Sequence, residues 1–217
     1  MSGTSKIQLL TAAQSVAEQR QGALILDTRA AERFASLHIR GAIQMGLEGP
    51  LASWAAILIK PQQRLVLVAD SPQSVQEAHT RLNRVGLERV VGYVLSDEIE
   101  SNKMAIDLAS ISVHRCAAVC RMLQGRASFQ LIDVRSRAEW LKGRLPGAIS
   151  VPLLDLEAGA QSIDQSRSGL VYCNEGYRAT TAASFLLRNG SAHLGILIDG
   201  IEGWSALGLP LELPESR

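Results

Sequence analysis

One cysteine in the second half of the 217-residue sequence stands between an apolar run and a helix-like pattern. Residues 170–172 predict a buried strand, Cys173 follows it, and the residues after Arg178 predict a helix. Unpaired N–H groups at the start of a helix stabilise a thiolate and any anion attached to it. Gly176 permits the loop to bend so that amides converge on the sulfur, and Arg178 adds a permanent positive charge. This order of residues predicts a reactive cysteine that handles an anionic group.

The alternative interpretation of Cys173 is an inert core thiol, which is the common role of a free cysteine after an apolar strand. The neighbouring residues favour the reactive interpretation, because Asn174 and Glu175 are polar and Gly176 and Arg178 suit an anion-binding loop. We therefore expect a partly exposed thiolate and keep the inert thiol as the alternative.

The chain contains an internal duplication. The segment "ALILDTRAAERFASLHIRGAI" at residues 23–43 aligns without a gap with "FQLIDVRSRAEWLKGRLPGAI" at residues 129–149, so that matching positions differ by 106. A second match aligns "RLVLVADSPQSVQEAHTRLNRVG" at residues 64–86 with "SGLVYCNEGYRATTAASFLLRNG" at residues 168–190. In this second match the offset slips by a few residues, as loops permit, and the first copy has no cysteine.

Each copy begins with a helix-like pattern, near Thr11 in the first and near Ser112 in the second, with an N-cap type of residue in front and a glycine behind. Short apolar strands follow and alternate with amphipathic patterns. Such alternation is typical of a mostly parallel sheet flanked by helices. We therefore predict an α/β fold class with two domains, at residues 1–98 and 108–217, and a polar connector at residues 96–110.

Composition and charge argue against several function classes. The 22 basic and 21 acidic residues give a formal net charge of +1, which offers no electrostatic basis for binding nucleic acid or a membrane surface. No apolar run approaches the roughly 18 residues of a spanning helix, and the first residues lack a signal-peptide pattern. Three cysteines do not suit a disulfide-built secreted fold and agree with a reducing compartment. The expected localisation is cytoplasmic.

The motifs "LIDVRSRAEW", "GRLPGAISVP", "LVYCNEGYRATTAASFLLRNG" and "LIDGIEGWSALGLP" follow one another from Leu131 to Pro210. In this combination the second copy resembles a rhodanese domain, which is a sulfurtransferase fold. The first copy is also similar to a rhodanese domain, but Asp70 stands at the position of the catalytic cysteine and the loop "DSPQSV" has no arginine matching Arg178. The resemblance therefore implies two tandem rhodanese-like domains, of which the first is inactive.

For the second domain the resemblance implies an enzyme, a thiosulfate or persulfide sulfurtransferase. Cys173 takes a sulfane sulfur from thiosulfate or a low-molecular-weight persulfide, becomes a persulfide, and hands the sulfur to a thiol or another nucleophile. No metal or organic cofactor is required, and Arg178 orients the small anionic donor. The loop has four residues between Cys173 and Arg178, one fewer than in related phosphatases, which favours sulfur over phosphate. The substrate-binding residues are Asn174, Glu175, Gly176, Tyr177 and Arg178.

Other residues with chemical potential are interpreted as structural. Cys116 and Cys120 are four apart on a predicted helix, and with His114 they suggest a metal site or a resolving thiol for the reactive cysteine. Buried packing is favoured, because a zinc site needs four well-placed ligands and the chain has three cysteines and four histidines. Asp133 and Arg135 recur in the copy that lacks the thiol, so we expect them to fix the loop after a strand.

A second hypothesis makes the chain a module rather than a free-standing enzyme. The first half resembles the inactive rhodanese domain behind metallo-β-lactamase-fold persulfide dioxygenases, where two rhodanese domains follow the metal domain. The chain has no H-x-H-x-D-H metal motif, so the resemblance implies a separate protein of that lineage or the C-terminal part of such a fusion. Its role is then persulfide relay or docking in sulfide detoxification, with the dioxygenase as partner or fused domain. A binding-only tandem scaffold is a third alternative, which an inert Cys173 would require.

Overall fold

The computed structural model describes residues 7–125 and 128–213, and the chain divides into two compact units between Ser110 and Ile111. Each unit contains a sheet of parallel strands flanked by helices, as the alternation of apolar and amphipathic patterns predicts. The predicted α/β fold class is confirmed. No helix in the described part of the chain is long and apolar enough to cross a membrane.

The first unit contains a four-stranded parallel sheet of order β3-β1-β4-β5 and a separate antiparallel pair of β2 with β6. Its first helix begins after Thr11, whose side chain accepts a hydrogen bond from Gln14 N–H in a capping box, so the N-cap predicted there is confirmed. The elements are, in chain order, α1 (Ala12–Arg20), β1 (Leu24–Asp27), α2 (Ala31–Ser36), β2 (His38–Ile39), β3 (Ile43–Gln44), α3 (Leu51–Leu58), β4 (Leu65–Ala69), α4 (Pro72–Asn83), β5 (Val90–Leu95), α5 (Ser96–Ser101) and β6 (Leu108–Ala109).

The second unit contains a five-stranded parallel sheet of order β7-β11-β10-β8-β9. Two short 3-10 turns flank α8 in the segment between β9 and β10. The elements are, in chain order, β7 (Ser112–His114), α6 (Cys116–Gln124), β8 (Gln130–Asp133), α7 (Arg137–Trp140), β9 (Ile149–Ser150), α8 (Leu156–Gly159), β10 (Gly169–Tyr172), α9 (Tyr177–Arg188), β11 (Leu194–Leu197) and α10 (Gly200–Ala206).

Strand β10 lies at the centre of the second sheet, between β8 and β11. Gly169 at its start pairs with Gln130 of β8 and with Leu194 of β11. All four residues of β10 are buried, as expected for a parallel strand that is covered on both faces. The chain passes from β8 outward to β9 and then returns to the other side of β8 as β10. The carboxyl ends of β8 and β10 therefore flank a switch point, where α/β sheets commonly bind ligands.

The core of the second unit joins helices α6 and α10 to the central strands. Helix α9 packs against β10 and β11, and its buried residues include three alanines, which permit a close approach to the sheet. The core cluster consists of Cys116, Val119, Leu131, Leu145, Leu170, Tyr172, Leu197, Ile201 and Trp204.

Two predicted segments have a different structure from the one expected. The helix predicted near Ser112 begins only at Cys116, because Ser112–His114 form the edge strand β7 and pair with β11. Three residues are too few to give a strand pattern in the sequence. The polar connector at residues 96–110 contains α5 and β6, and β6 pairs with β2 through backbone hydrogen bonds. This segment is therefore part of the first unit, because its backbone groups bond to that unit.

Candidate active site

Cys173 is the first residue after strand β10 and lies at the carboxyl edge of the second sheet. Helix α9 begins four residues later, at Tyr177, so the strand, loop and helix predicted from the sequence are present. The Cys173 residue is only 2% exposed, whereas the sequence favours a partly exposed thiol. The burial results from the packing of the loop against neighbouring backbone, described below.

Gly176 shapes the loop around the sulfur. Its N–H donates a hydrogen bond to Cys173 Sγ at 3.2 Å, and its φ of 91° is in the region that favours glycine. A Cβ atom at this position would lie 2.6 Å from the Ile198 carbonyl oxygen, which no side chain can occupy without a shift of backbone. The loop therefore needs a glycine at position 176, both for its positive φ and for its close approach to the Ile198 backbone. The Gly176 amide is directed at the sulfur.

The first turn of α10 fixes the backbone of the Cys173 loop. Ile201 N–H donates to the Cys173 carbonyl at 2.8 Å, and Glu202 N–H donates to the Asn174 carbonyl at 3.3 Å. Gly200 lies so close that a Cβ atom would be 1.9 Å from the Asn174 carbonyl oxygen. The loop is thus held by the segment that follows β11, and this contact buries the cysteine.

Arg178 lies in the first turn of α9 and forms a bidentate ion pair with Glu139. Arg178 Nη1 donates to Oε2 at 2.9 Å and Nη2 donates to Oε1 at 2.8 Å, with both side chains mostly buried. The pKa of Arg178 is raised, first by its hydrogen bonds to Glu139 and also by the negative charge that Cys173 carries as a thiolate. The guanidinium is therefore within electrostatic reach of the sulfur, but a carboxylate already balances its charge.

Glu139 is held in place by the start of its own helix, α7. Ser136 N–H and Oγ donate to Oε2 of Glu139 at 2.9 and 2.7 Å, and Glu139 N–H donates to Ser136 Oγ, which completes a capping box. The Arg178 hydrogen bonds, followed by those of Ser136, hold the pKa of the Glu139 carboxyl far below its usual range. Glu139 is therefore a carboxylate with a fixed orientation.

Asn174, Glu175 and Tyr177 form the rim of the site and are less buried than Cys173. Asn174 and Tyr177 are half-buried, and Glu175 is exposed. The pKa of the Glu202 carboxyl is raised by its hydrogen bond with the Glu175 carboxyl and by the like charge of that group. Two carboxyl groups therefore lie next to each other at the rim, which adds negative charge outside the loop.

The first unit has the same strand and helix but different chemistry. Asp70 follows β4 where Cys173 follows β10, and Arg33 Nη1 donates to Asp70 Oδ1 at 2.6 Å. Arg33 is the counterpart of Glu139 at the offset of 106. It also pairs with Glu100, at 3.3 Å. In both units the side chain at this helix position forms an ion pair with a residue that follows the central strand. Only in the second unit does a thiol lie beside this pair.

The aspartate and arginine of the "D-V-R" motif form a buried pair in each unit. Arg135 donates to Asp133 through Nε and Nη2, at 3.0 and 2.6 Å, and Nη2 also donates to the Gly143 carbonyl at 2.7 Å. The pair of Arg29 with Asp27 has the same arrangement in the unit without the thiol. These contacts support the structural role predicted from the sequence, which is to fix the chain after a strand.

The remaining cysteines lie on helix α6. Cys116 is buried, its Sγ donates to the Gly200 carbonyl at 3.4 Å, and burial, followed by the charge of Asp199, raises its pKa to about 11. Such a thiol is a poor nucleophile near neutral pH. Cys120 is half-buried, and the described residues contain no group of three or more ligands that could hold a metal ion. Cys116 therefore packs in the core, as the sequence favours.

Sequence reasoning identified the Cys173 loop but missed two acidic residues beside it. Glu139 is 39 positions from Arg178, and no local spacing links them. The motif "SRAE" at residues 136–139 was a signal for a capping box, and the charge change from Arg33 to Glu139 at the 106 offset was a second one. Glu202 gave no such signal. The full arrangement suits a sulfur nucleophile held by an amide, a helix start and a fixed guanidinium.

Several known proteins are similar to this chain. A "Sulfurtransferase" of Allochromatium vinosum is 32% identical over 85 residues, covering 39% of this chain and 79% of that protein. The "Thiosulfate sulfurtransferase GlpE" of Actinobacillus succinogenes is 29% identical over 82 residues, covering 38% and 74% respectively. A solved rhodanese-like domain from Anabaena sp. is 29% identical, covers 48% of this chain and 81% of that one, and has a TM-score of 0.44. The rhodanese-like domain family model matches residues 11–96 and 117–207, so the chain belongs to this family and carries its domain twice.

Proposed function

We propose that the chain is a sulfurtransferase in which Cys173 carries the transferred sulfur. The observation that carries the proposal is the Gly176 N–H directed at Cys173 Sγ, 3.2 Å away, where α9 begins. An amide at a helix start stabilises negative charge on a thiolate and on the persulfide that it forms. The family membership and the two relatives named as sulfurtransferases support the same activity.

In the first step, the Cys173 thiolate attacks the outer sulfur of the donor. With thiosulfate, a new S–S bond forms to Cys173, the donor's S–S bond breaks, and the electron pair leaves with sulfite. With a low-molecular-weight persulfide in its protonated form, the leaving group is the corresponding thiolate, and the proton stays on the transferred sulfur. Neither version needs an oxidant or a metal.

In the second step, an acceptor thiolate attacks the outer sulfur of the Cys173 persulfide. A new S–S bond forms on the acceptor, the bond to Cys173 Sγ breaks, and the electron pair returns to Cys173 as a thiolate. The Gly176 amide serves both steps, because the charge at Sγ is negative before the first and after the second. Asn174, Glu175 and Tyr177 form the rim through which donor and acceptor reach the sulfur.

Steady-state kinetics with the full chain tests the proposal. With donor and acceptor thiol varied together, transfer through a covalent intermediate gives the parallel double-reciprocal lines of a ping-pong reaction. Cys173→Ser removes the nucleophile and should reduce the rate to that without enzyme. Cys120→Ser is the matched control, since it changes a half-buried thiol outside the site and should retain the rate. Transfer by Cys173→Ser at the wild-type rate would contradict the proposal.

The relay or docking module of the sequence analysis remains a second candidate. It is favoured by the first unit, which has no cysteine in its sequence and so leaves one proposed transfer centre in the chain. In this case a metallo-β-lactamase-fold persulfide dioxygenase is the partner, and persulfide passes between it and Cys173. Co-purification and coupled turnover with such a dioxygenase test this candidate. Unchanged dioxygenase turnover when the wild-type chain is added would exclude it.

A further inference from the structure

We infer that Glu139 selects the sulfur donor, because it anchors and neutralises Arg178 and so makes the Cys173 site favour thiol persulfides of low negative charge over dianionic thiosulfate. The inference rests on the proposed function and adds a positioning residue and a donor class to it. Glu139 acts through Arg178, and its position in α7 keeps it outside the loop that surrounds the sulfur.

The ion pair of Arg178 with Glu139 has a fixed geometry. Both terminal nitrogens of Arg178 bind the two oxygens of Glu139, at 2.9 and 2.8 Å. The guanidinium cannot rotate without losing one of these two bonds. The side chains are 20% and 27% exposed, so water and salt screen the pair only partly. Beyond a few ångströms, the field of the pair is that of a dipole and not that of a cation. The Arg178 guanidinium is therefore fixed, and its charge is already balanced by Glu139 when a dianionic donor arrives.

The loop that surrounds the sulfur has a balanced charge of its own. Residues 173–178 contain one acidic residue, Glu175, and one basic residue, Arg178, so the loop has no net charge before the thiol ionises. Glu202 adds a carboxyl group beside Glu175 at the rim. Thiosulfate brings two negative charges to this environment, whereas a persulfide of an uncharged thiol brings one or none. The persulfide therefore meets the smaller repulsion.

The first unit has a charged residue at the same helix position. Arg33 is the counterpart of Glu139 at the offset of 106, and it reaches Asp70, the first residue after β4. Both units therefore place the side chain at this helix position against the residues that follow a central strand, which is β4 in the first unit and β10 in the second. The residue at this position contributes one charge near that loop in each unit, a positive charge from Arg33 and a negative charge from Glu139.

Glu139→Gln removes the charge and keeps most of the structure. Glutamine is the other residue that completes a capping box, and its carbonyl can accept the bonds that Oε2 receives from Ser136 and Arg178. The variant releases one positive charge beside Cys173. One partly screened charge near a binding site changes the affinity for each extra ligand charge by roughly threefold to tenfold.

The experiment compares thiosulfate with the persulfide of 2-mercaptoethanol as donors for the full chain. Wild type should have the higher kcat/KM with the persulfide. Glu139→Gln should raise kcat/KM for thiosulfate, relative to the persulfide, by about threefold to tenfold, mainly through a lower KM. This gain should fall as ionic strength rises from about 0.01 M to about 0.15 M. Glu157→Gln is the matched control, since Glu157 lies by the C-terminal end of α9, away from the loop, and its donor ratio should equal that of wild type.

The opposite variant makes the test independent of how well Glu139→Gln folds. Arg178→Gln removes the cation that balances Glu139, whose carboxylate keeps its bonds from Ser136, and should lower thiosulfate use relative to persulfide use. A wild-type preference for thiosulfate, or a donor ratio that neither variant changes, would overturn the inference while leaving the sulfurtransferase intact. If neither donor places sulfur on wild-type Cys173, the proposed function itself fails.

Discussion

Replacing Arg135 with alanine removes one half of the buried ion pair that fixes the chain after β8. In the folded protein the Asp133 and Arg135 side chains are 1% and 5% exposed, and Arg135 also donates to the Gly143 carbonyl at 2.7 Å. In the variant the Asp133 carboxylate stays buried. It keeps the hydrogen bond that the backbone N–H of residue 135 donates at 2.9 Å. It also removes the donor to Gly143.

The expected loss in the free energy of unfolding is about 3 to 5 kcal/mol, which is typical when one partner of a buried pair is removed. The lost bond to the Gly143 carbonyl is part of this figure, because contacts in one network do not add. Arg115→Ala is the matched control, since the Arg115 side chain is 66% exposed in its pair with Asp199. Exposed pairs contribute about 1 kcal/mol or less, so this variant should remain close to wild type.

Urea denaturation followed by tryptophan fluorescence measures both losses. All variants carry Trp54→Phe, so that Trp140 and Trp204, which belong to the second unit, report its unfolding. The midpoint of Arg135→Ala should fall with little change in the slope. A loss below about 1 kcal/mol, equal to that of Arg115→Ala, would refute the reasoning that this pair fixes the fold.

Three further predictions concern the site and its surroundings. Gly176→Ala places a Cβ 2.6 Å from the Ile198 carbonyl oxygen at a φ of 91°, so it should abolish sulfur loading of Cys173, and wild-type loading measured by mass spectrometry would contradict this. The pKa of Cys116 is raised from 9.0 to about 11, so its contribution to stability is full below pH 9 and falls as the pH rises toward 11. Cys116→Ala should therefore flatten the plot of the urea midpoint against pH in this range. An unchanged slope would contradict this role of Cys116. The pKa of Glu139 is lowered, so its stabilising effect is present above the ordinary glutamate pKa of about 4.3 and is lost as pH falls below it. Glu139→Gln should therefore lose less stability than wild type on acidification, and equal acid midpoints would count against the pairing with Arg178.

The fold was largely predictable from the sequence, because its signals are local and repeated. The runs that became β4 and β10 are continuous and apolar, and each is followed by a helix pattern, so their placement in a parallel sheet followed from periodicity. The strand β7 was not predictable, since Ser112–His114 are stabilised by pairing with β11, a partner distant in sequence. The same holds for β6, whose pairing with β2 orders a polar segment.

The site was predictable as a loop but not as a charge arrangement. The order of Cys173, Gly176 and Arg178 is a local pattern with a physical meaning, and the structure brings these residues together. The partner of Arg178 was not visible, because Glu139 reaches it through the packing of α7, 39 positions away in sequence. The burial of Cys173 was also unexpected, because it depends on α10.

Cys173 is the proposed carrier of one sulfur atom, and intact-protein mass spectrometry tests this directly. The full chain is incubated with the persulfide of 2-mercaptoethanol, desalted, measured, and measured again after an acceptor thiol is added. The expected result is a gain in mass equal to one sulfur atom, which is located on the peptide that contains Cys173 and is lost on addition of the thiol. Sulfur on Cys116 or Cys120 instead, or a chain whose mass does not change, would contradict it.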